Sequence, residues 1–128
     1  MGYELQILAC AIVWGLIQIA LAAAMSVSQR GFDWAAGPRD TTVPLTGIAG
    51  RVNRASANFL ETFPFFAAAV LAVAVTQRGN ATSAMGAQLY LWARIAYVPV
   101  YALGIRHVRT LVWAVSLVGI LMVLKPLF

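Results

Sequence analysis

Four long apolar segments occupy most of this chain and limit the folds that it can adopt. We predict helices at about residues 5–28, 47–76, 84–103 and 108–124. A helix needs about 20 mostly apolar residues to cross the hydrocarbon core of a bilayer. Charged residues make up only 10% of the sequence, whereas soluble domains carry roughly 25%. The sequence therefore predicts an all-α membrane protein, a single domain over residues 1–128 that forms a bundle of four transmembrane helices.

The distribution of Lys and Arg predicts the orientation of the chain. The 1–2 and 3–4 connections, together with the first turns of the helices that follow them, hold the basic residues Arg30, Arg39, Arg51, Arg54, Arg106 and Arg109. The opposite side holds Arg78 and Lys125. Loops rich in Lys and Arg remain preferentially in the cytoplasm. We therefore expect a multi-pass protein with both termini outside and the 1–2 and 3–4 loops in the cytoplasm.

A polar stripe runs along the start of the second predicted helix. Arg51, Arg54, Asn58 and Glu61 are spaced +3, +4 and +3. Residues three and four apart lie on the same side of a helix, so these four side chains share one face. Arg51 is expected at or above the membrane surface, which leaves Arg54, Asn58 and Glu61 to be buried.

A second polar stripe lies on the third predicted helix. Tyr90, Arg94, Tyr97 and Tyr101 are spaced +4, +3 and +4, again on one face. In the predicted topology this helix ends in the cytoplasmic half of the bilayer, where the second helix begins. Arg109 opens the fourth helix at the same level. The sequence thus predicts that polar residues from three helices meet at one depth.

Two interpretations of this polar layer remain open on the residues alone. A charged side chain in the middle of a membrane costs about 2.5–3.5 kcal/mol on insertion scales. An ion pair between Arg94 and Glu61, supported by Asn58, would reduce that cost and join two helices. The remaining arginines and the tyrosine hydroxyls exceed what such a pair needs. Their excess of positive charge is typical of a site for an anionic ligand.

Several other chemistries are excluded or disfavoured by the sequence. His107 is the only histidine and Cys10 the only cysteine, so a histidine metal cluster and an intrachain disulfide are excluded. There is no glycine-rich phosphate loop of the P-loop type. The net charge is +5, but the basic residues are scattered rather than clustered, as nucleic-acid binding would require. We expect neither a metal nor a nucleic-acid partner.

The order and spacing of the polar residues resemble those of a known membrane family. The pattern runs Arg51-x-x-Arg54-Ala55-x-x-Asn58-x-x-Glu61-x-x-Pro64, then Ala93-Arg94-x-x-Tyr97-x-x-x-Tyr101, then Arg106-x-x-Arg109-Thr110. It is similar to that of the MAPEG family, the membrane-associated proteins in eicosanoid and glutathione metabolism, and to its compact bacterial members in particular. The resemblance implies a homotrimer of four-helix subunits in a bacterial inner membrane, with glutathione as cosubstrate.

The resemblance also implies roles for individual residues. Glutathione would be held by Arg54, Asn58 and Glu61, with hydroxyl contacts from Tyr97 and Tyr101 and with Arg94 beside Glu61 as support. Arg51 is grouped with these binding residues, and Arg30 would reach the site from a neighbouring subunit. Arg109 would stabilise the thiolate, although the connection after Tyr101 varies in length and Arg106 could take this catalytic role instead.

The function implied by the resemblance is that of a microsomal-type glutathione S-transferase or peroxidase. Glutathione would enter from the cytoplasm, and an apolar electrophile or a lipid hydroperoxide from the bilayer. Phe59, Phe63 and Trp113 are expected to wall the apolar part of the cleft. Two alternatives stay open: a non-catalytic trimer that binds lipid or peptide, and a structural membrane protein whose polar layer only joins helices.

Overall fold

The computed structural model describes residues 2–128, and the regular structure in this range is helical throughout. The helices are α1 (Tyr3–Arg30), α2 (Phe32–Ala36), α3 (Gly47–Thr76), α4 (Ala81–Ala102) and α5 (Arg106–Leu124), followed by a 3₁₀ turn (Lys125–Leu127). Each long helix corresponds to a predicted one, and α3 spans the predicted range 47–76. The short helix α2 lies where the sequence analysis expected only a loop.

Three segments are long and apolar enough to cross a membrane: α1, α3 and Arg106–Leu127, with mean hydropathies of 2.3, 1.9 and 2.0. Helix α4 has 22 residues, which corresponds to about 33 Å at 1.5 Å per residue. Its length is therefore similar to that of a span. Its polar and amphipathic members include Gln88, Arg94 and three tyrosines.

Helices α4 and α5 approach each other closely because glycines face one another. A Cβ atom added at Gly86 would lie 2.6 Å from the Gly119 carbonyl oxygen, and one added at Gly119 would lie 2.7 Å from the Gly86 carbonyl oxygen. Both distances are shorter than any tolerated contact, so only glycine fits at either position. Small residues at a helix interface allow this backbone contact. It fixes which face of α5 is turned towards α4.

An aromatic cluster within the core of the bundle joins α3 and α4. The Phe66 and Tyr90 rings stack with their centroids 4.1 Å apart. The buried Thr62 Oγ1 lies 2.9 Å from the Tyr90 hydroxyl oxygen. Helix α1 packs against this core through Gly15, where an added Cβ atom would lie 2.8 Å from the Phe59 ring. Stacked aromatic pairs and a satisfied buried hydroxyl stabilise this part of the bundle.

Two contacts show that α1 and α4 run in the same direction. Near the starts of both helices, Ser83 Oγ donates to Glu4 Oε1 at 2.6 Å. Further along, Trp14 Nε1 donates to the Arg94 carbonyl oxygen at 3.2 Å. Helix α4 begins with a capping box in which Asn80 and Ser83 bond each other's backbone N–H groups. Because α3 runs in the opposite direction, its first turns lie beside the end of α4.

Candidate functional site

An arginine-rich cleft lies where the start of α3 meets the α4–α5 turn. We call it the outer cleft, and it encloses about 260 Å³. Its lining residues are Arg51, Arg54, Tyr101, Gly104, Ile105, Arg106 and Arg109. Four of these seven residues carry a guanidinium group. Such a cleft suits carboxylate or other anionic groups, which guanidinium groups bind with paired hydrogen bonds.

A smaller cleft adjoins the outer one and extends along α5. This inner cleft has a volume of about 140 Å³ and is lined by Asn58, Tyr97, Arg109, Thr110 and Trp113. Arg109 borders both clefts. It is half-buried, whereas Arg106 is exposed and borders the outer cleft alone. The position of Arg109 therefore allows one guanidinium to face both spaces.

Tyr101 connects the arginines of α3 and α5. Arg54 Nε donates to its hydroxyl oxygen at 3.1 Å, and the Arg109 Cζ lies 4.7 Å from the centroid of its ring. Tyr97 packs edge-on against Tyr101 with the centroids 5.6 Å apart. A cation over an aromatic face is attracted by the ring quadrupole. Tyr101 thus holds two like-charged side chains near each other at the boundary of the clefts.

Arg94 lies behind the clefts rather than in them. Its side chain is 1% exposed, and its Cζ atom lies 4.3 Å from the Tyr97 ring centroid and 5.8 Å from that of Phe59. Within residues 2–128, its Nε and Nη1 atoms have no hydrogen-bond partner, and neither has the buried Asn58 Oδ1 atom. The sequence analysis expected Arg94 to lie beside Glu61. Within one chain, these two Arg94 nitrogens make no hydrogen bond to Glu61.

Two predicted site residues lie apart from the clefts just described. The Glu61 side chain is exposed on the outside of α3, next to Leu60, which is 48% exposed. Arg30 borders a third cleft of about 320 Å³ between α1, α2 and α3. There its Nε donates to the Val43 carbonyl oxygen at 2.6 Å, and its Cζ lies 4.5 Å from the Trp34 ring centroid. The structure brings neither residue to Arg109 within one chain.

The structure also changes the predicted apolar wall. Trp113 borders the inner cleft as expected. Phe59 does not, because Gly15 leaves room for its ring in the core, where it is 2% exposed and stacks on Phe63. Thr110 was not assigned a role from the sequence. Its place directly after Arg109 was the only signal that it could line the same space.

Comparison with known protein families matches the MAPEG family over residues 7–125. The match covers nearly the whole chain, and this protein belongs to the MAPEG family. Membership identifies an integral membrane protein and indicates a glutathione-related function in the membrane. Comparisons with curated proteins and with solved structures gave no significant match. In the described part of the chain, no group of three or more His, Cys, Asp and Glu side chains is arranged to hold a metal ion.

Proposed function

We propose that this protein is a glutathione-dependent membrane transferase or peroxidase. The observation that carries the proposal is the position of Arg109, which borders both the arginine-rich outer cleft and the inner cleft with Asn58, Tyr97 and Trp113. The outer cleft suits the anionic ends of a peptide. The inner cleft has an indole wall that suits an apolar cosubstrate. One guanidinium between these spaces is well placed to act on a reacting group at the point where the two substrates meet.

The donors and acceptors in the clefts fit glutathione, a tripeptide with two carboxylates, one ammonium group and a thiol. Arg54 supplies guanidinium donors for a carboxylate at the outer cleft. The Asn58 Oδ1 atom has no hydrogen-bond partner within residues 2–128 and is an acceptor available to a peptide N–H group. Tyr97 and Tyr101 supply hydroxyl groups beside them. A ligand that bonds Asn58 would also remove the cost of leaving this buried acceptor unpaired.

Arg109 is the residue that we assign to the thiol. Glutathione supplies a thiol whose anion forms a carbon–sulfur bond with an electrophilic carbon and displaces its leaving group. With a hydroperoxide, the thiolate attacks the terminal oxygen, the O–O bond breaks and an alcohol is released, and a second glutathione converts the resulting sulfenic acid to the disulfide and water. A nearby guanidinium favours the thiolate over the thiol and so raises the nucleophilic fraction at neutral pH. The Arg109 guanidinium lies at the border of both clefts, where it can meet the sulfur. Its half-buried position reduces solvent screening, which strengthens this effect relative to the exposed Arg106.

We propose that α4 crosses the membrane in addition to α1, α3 and α5, which gives four spans, and that the protein is a homotrimer. The support for assembly is Glu61, a carboxylate exposed on the outside of α3 next to the exposed apolar side chains of Leu60 and Phe65. A charged group facing lipid is unfavourable, so a second copy of the chain that covers Glu61 would stabilise the protein. Such a neighbour could also bring Arg30 to the site. The orientation with both termini outside and the clefts in the cytoplasmic half is part of the same proposal.

Steady-state conjugation of glutathione to a neutral model electrophile, with purified protein in detergent, tests this function. We expect turnover by the wild type. Arg109→Ala should lower kcat by about 100-fold or more, the usual cost of losing a group that stabilises developing negative charge. Arg106→Ala is the matched control, three residues earlier on α5, and should change kcat by less than about threefold because exposed charges are screened.

Three outcomes would contradict this assignment. A wild type that binds glutathione but shows no turnover with electrophiles or hydroperoxides would favour a non-catalytic binding protein. Equal activity of Arg109→Ala and wild type would remove the thiolate role from Arg109. A larger loss in Arg106→Ala than in Arg109→Ala would exchange the roles of the two arginines.

A further inference from the structure

We propose that Arg51 is a positioning residue, which holds the turn between α4 and α5 and thereby places Arg109. The inference rests on the proposed function for the role of Arg109. It assigns to Arg51 a task different from direct contact with glutathione. Three features of the structure lead to it: the contact of Arg51 with the end of α4, its contact with Gly104, and the short path from there to Arg109.

Arg51 bonds the last residue of α4. Its Nη1 atom donates to the Ala102 carbonyl oxygen at 3.1 Å, and its side chain is partly buried. Carbonyl groups at the end of a helix have no partner within the helix, and the negative end of the helix dipole attracts a cation. Arg51 satisfies both requirements from the neighbouring helix. It therefore fixes the end of α4 against the start of α3.

The same guanidinium covers the turn that follows. Gly104 has φ +73°, and a Cβ atom added to it would lie 3.4 Å from both Cζ and Nη1 of Arg51. The turn is also held from within α4, since Gly104 N donates to the Tyr101 carbonyl oxygen at 2.9 Å and Ile105 N to that of Val100 at 3.2 Å. The positive φ favours glycine here, and the guanidinium lies at van der Waals distance from the place of an added Cβ atom. Arg51 and Gly104 thus form one fitted contact.

The path from this contact to Arg109 is short. Only Leu103, Gly104 and Ile105 separate α4 from α5, and Arg109 N donates to the Ile105 carbonyl oxygen at 3.2 Å. Arg109 therefore lies in the first turn of a helix whose starting point is set by the Arg51 contact. A misplacement of about 1 Å at a catalytic group can cost roughly 100-fold in rate. A loosened turn should therefore reduce the action of Arg109 on the thiol.

Positioning and direct binding predict different kinetics. If Arg51 mainly binds a glutathione carboxylate, its loss raises the KM for glutathione and leaves kcat unchanged. If it positions Arg109, its loss lowers kcat and leaves the KM nearly unchanged. Gly104 separates the two cases further, since a methyl group at Gly104 strains the turn at its positive φ without removing any charge.

The test compares Arg51→Ala, Arg51→Lys and Gly104→Ala in glutathione conjugation. We expect Arg51→Ala and Gly104→Ala each to lower kcat by about 10-fold or more, with the KM for glutathione within about twofold of wild type. Arg51→Lys retains one donor to the Ala102 carbonyl and should restore most of kcat. The double variant Arg51→Ala/Gly104→Ala should lose less than the product of the single losses, because both changes loosen the same turn.

Arg78→Ala is the matched control, because Arg78 Nη1 also donates to a carbonyl near a helix end, that of Leu127, at 3.3 Å. It should leave kcat unchanged. Hydrogen exchange at residues 103–106 gives a readout independent of activity and should rise in Arg51→Ala but not in Arg78→Ala. A raised KM with normal kcat in Arg51→Ala, or a silent Gly104→Ala, would overturn the positioning role. Faster exchange in a protein whose wild type shows no turnover would instead reject only the proposed function.

Discussion

Tyr90 shows how one predicted stripe divides into two kinds of residue. Its spacing places it on the same face of α4 as Arg94, Tyr97 and Tyr101, but it is fully buried and stacks on Phe66. Its hydroxyl group meets Thr62 instead of a cleft. Only Tyr97 and Tyr101 reach the clefts. Helical spacing identified the face, whereas depth along the helix decided which tyrosines support packing and which border the candidate site.

Replacing Thr62 by valine should destabilise the bundle. The valine side chain would keep the volume but leave the buried Tyr90 hydroxyl unpaired, at a cost of about 1–3 kcal/mol. Tyr90→Phe removes the other partner, so the double variant Thr62→Val/Tyr90→Phe should cost less than the sum of the single variants. Denaturant unfolding of the protein in detergent, followed by loss of helix signal, measures these free energies. Strict additivity would mean that the hydroxyl pair does not stabilise the protein.

At the scale of the helices, the α4–α5 contact determines the inner cleft. Gly86 and Gly119 bring the two backbones together, and this contact selects the face of α5 that carries Arg109 and Trp113 towards α3 and α4. The apolar pattern of residues 108–124 does not reveal this face, since nearly every residue there is apolar. The register of α5 against α4 therefore depends on packing that becomes visible only in three dimensions.

A methyl group at Gly119 should weaken this contact. The added Cβ atom of Gly119→Ala would lie 2.7 Å from the Gly86 carbonyl oxygen and 2.8 Å from Tyr90 N. Both are backbone atoms, so the helices must move apart, at a cost of about 1–3 kcal/mol for overpacking. Gly2→Ala is the control, since its nearest neighbour would be Glu4 Oε2 at 4.0 Å. Equal unfolding free energies for the two variants would contradict close packing at Gly119.

The helical repeat predicted which residues share a face, whereas packing between helices decided which of them are buried. The periodicity of α3 and α4 was enough to place Arg54 near Tyr101, because each stripe needs only the helical repeat and the direction of the chain. It could not place Phe59, whose position depends on the space left by Gly15 in another helix. It also missed α2, which has only five residues between Gly31 and Gly37. It also did not predict that Glu61 is exposed on the outside of α3, because the packing of the neighbouring helices decides which part of the stripe is covered.

For the whole molecule, the positive charge of the clefts and the exposed carboxylate of Glu61 both favour a site that more than one copy of the chain completes. Arg54 and Arg109 meet around Tyr101 within one chain. Glu61 and Arg30 face outwards from it and lie on other surfaces. A single chain therefore presents part of the proposed site in its clefts and part on its outer surface. We propose that assembly brings these parts together around glutathione.

Equilibrium binding of glutathione to the purified protein tests directly whether the clefts bind the tripeptide. We expect saturable binding by the wild type and binding about 10- to 100-fold weaker in Arg54→Ala, since a charge-assisted hydrogen bond contributes about 1.5–3 kcal/mol. Arg78→Ala, at the other end of the bundle, should bind as the wild type does. Absence of glutathione binding by the wild type, or equal affinity in Arg54→Ala and wild type, would contradict the proposed binding of glutathione in the clefts.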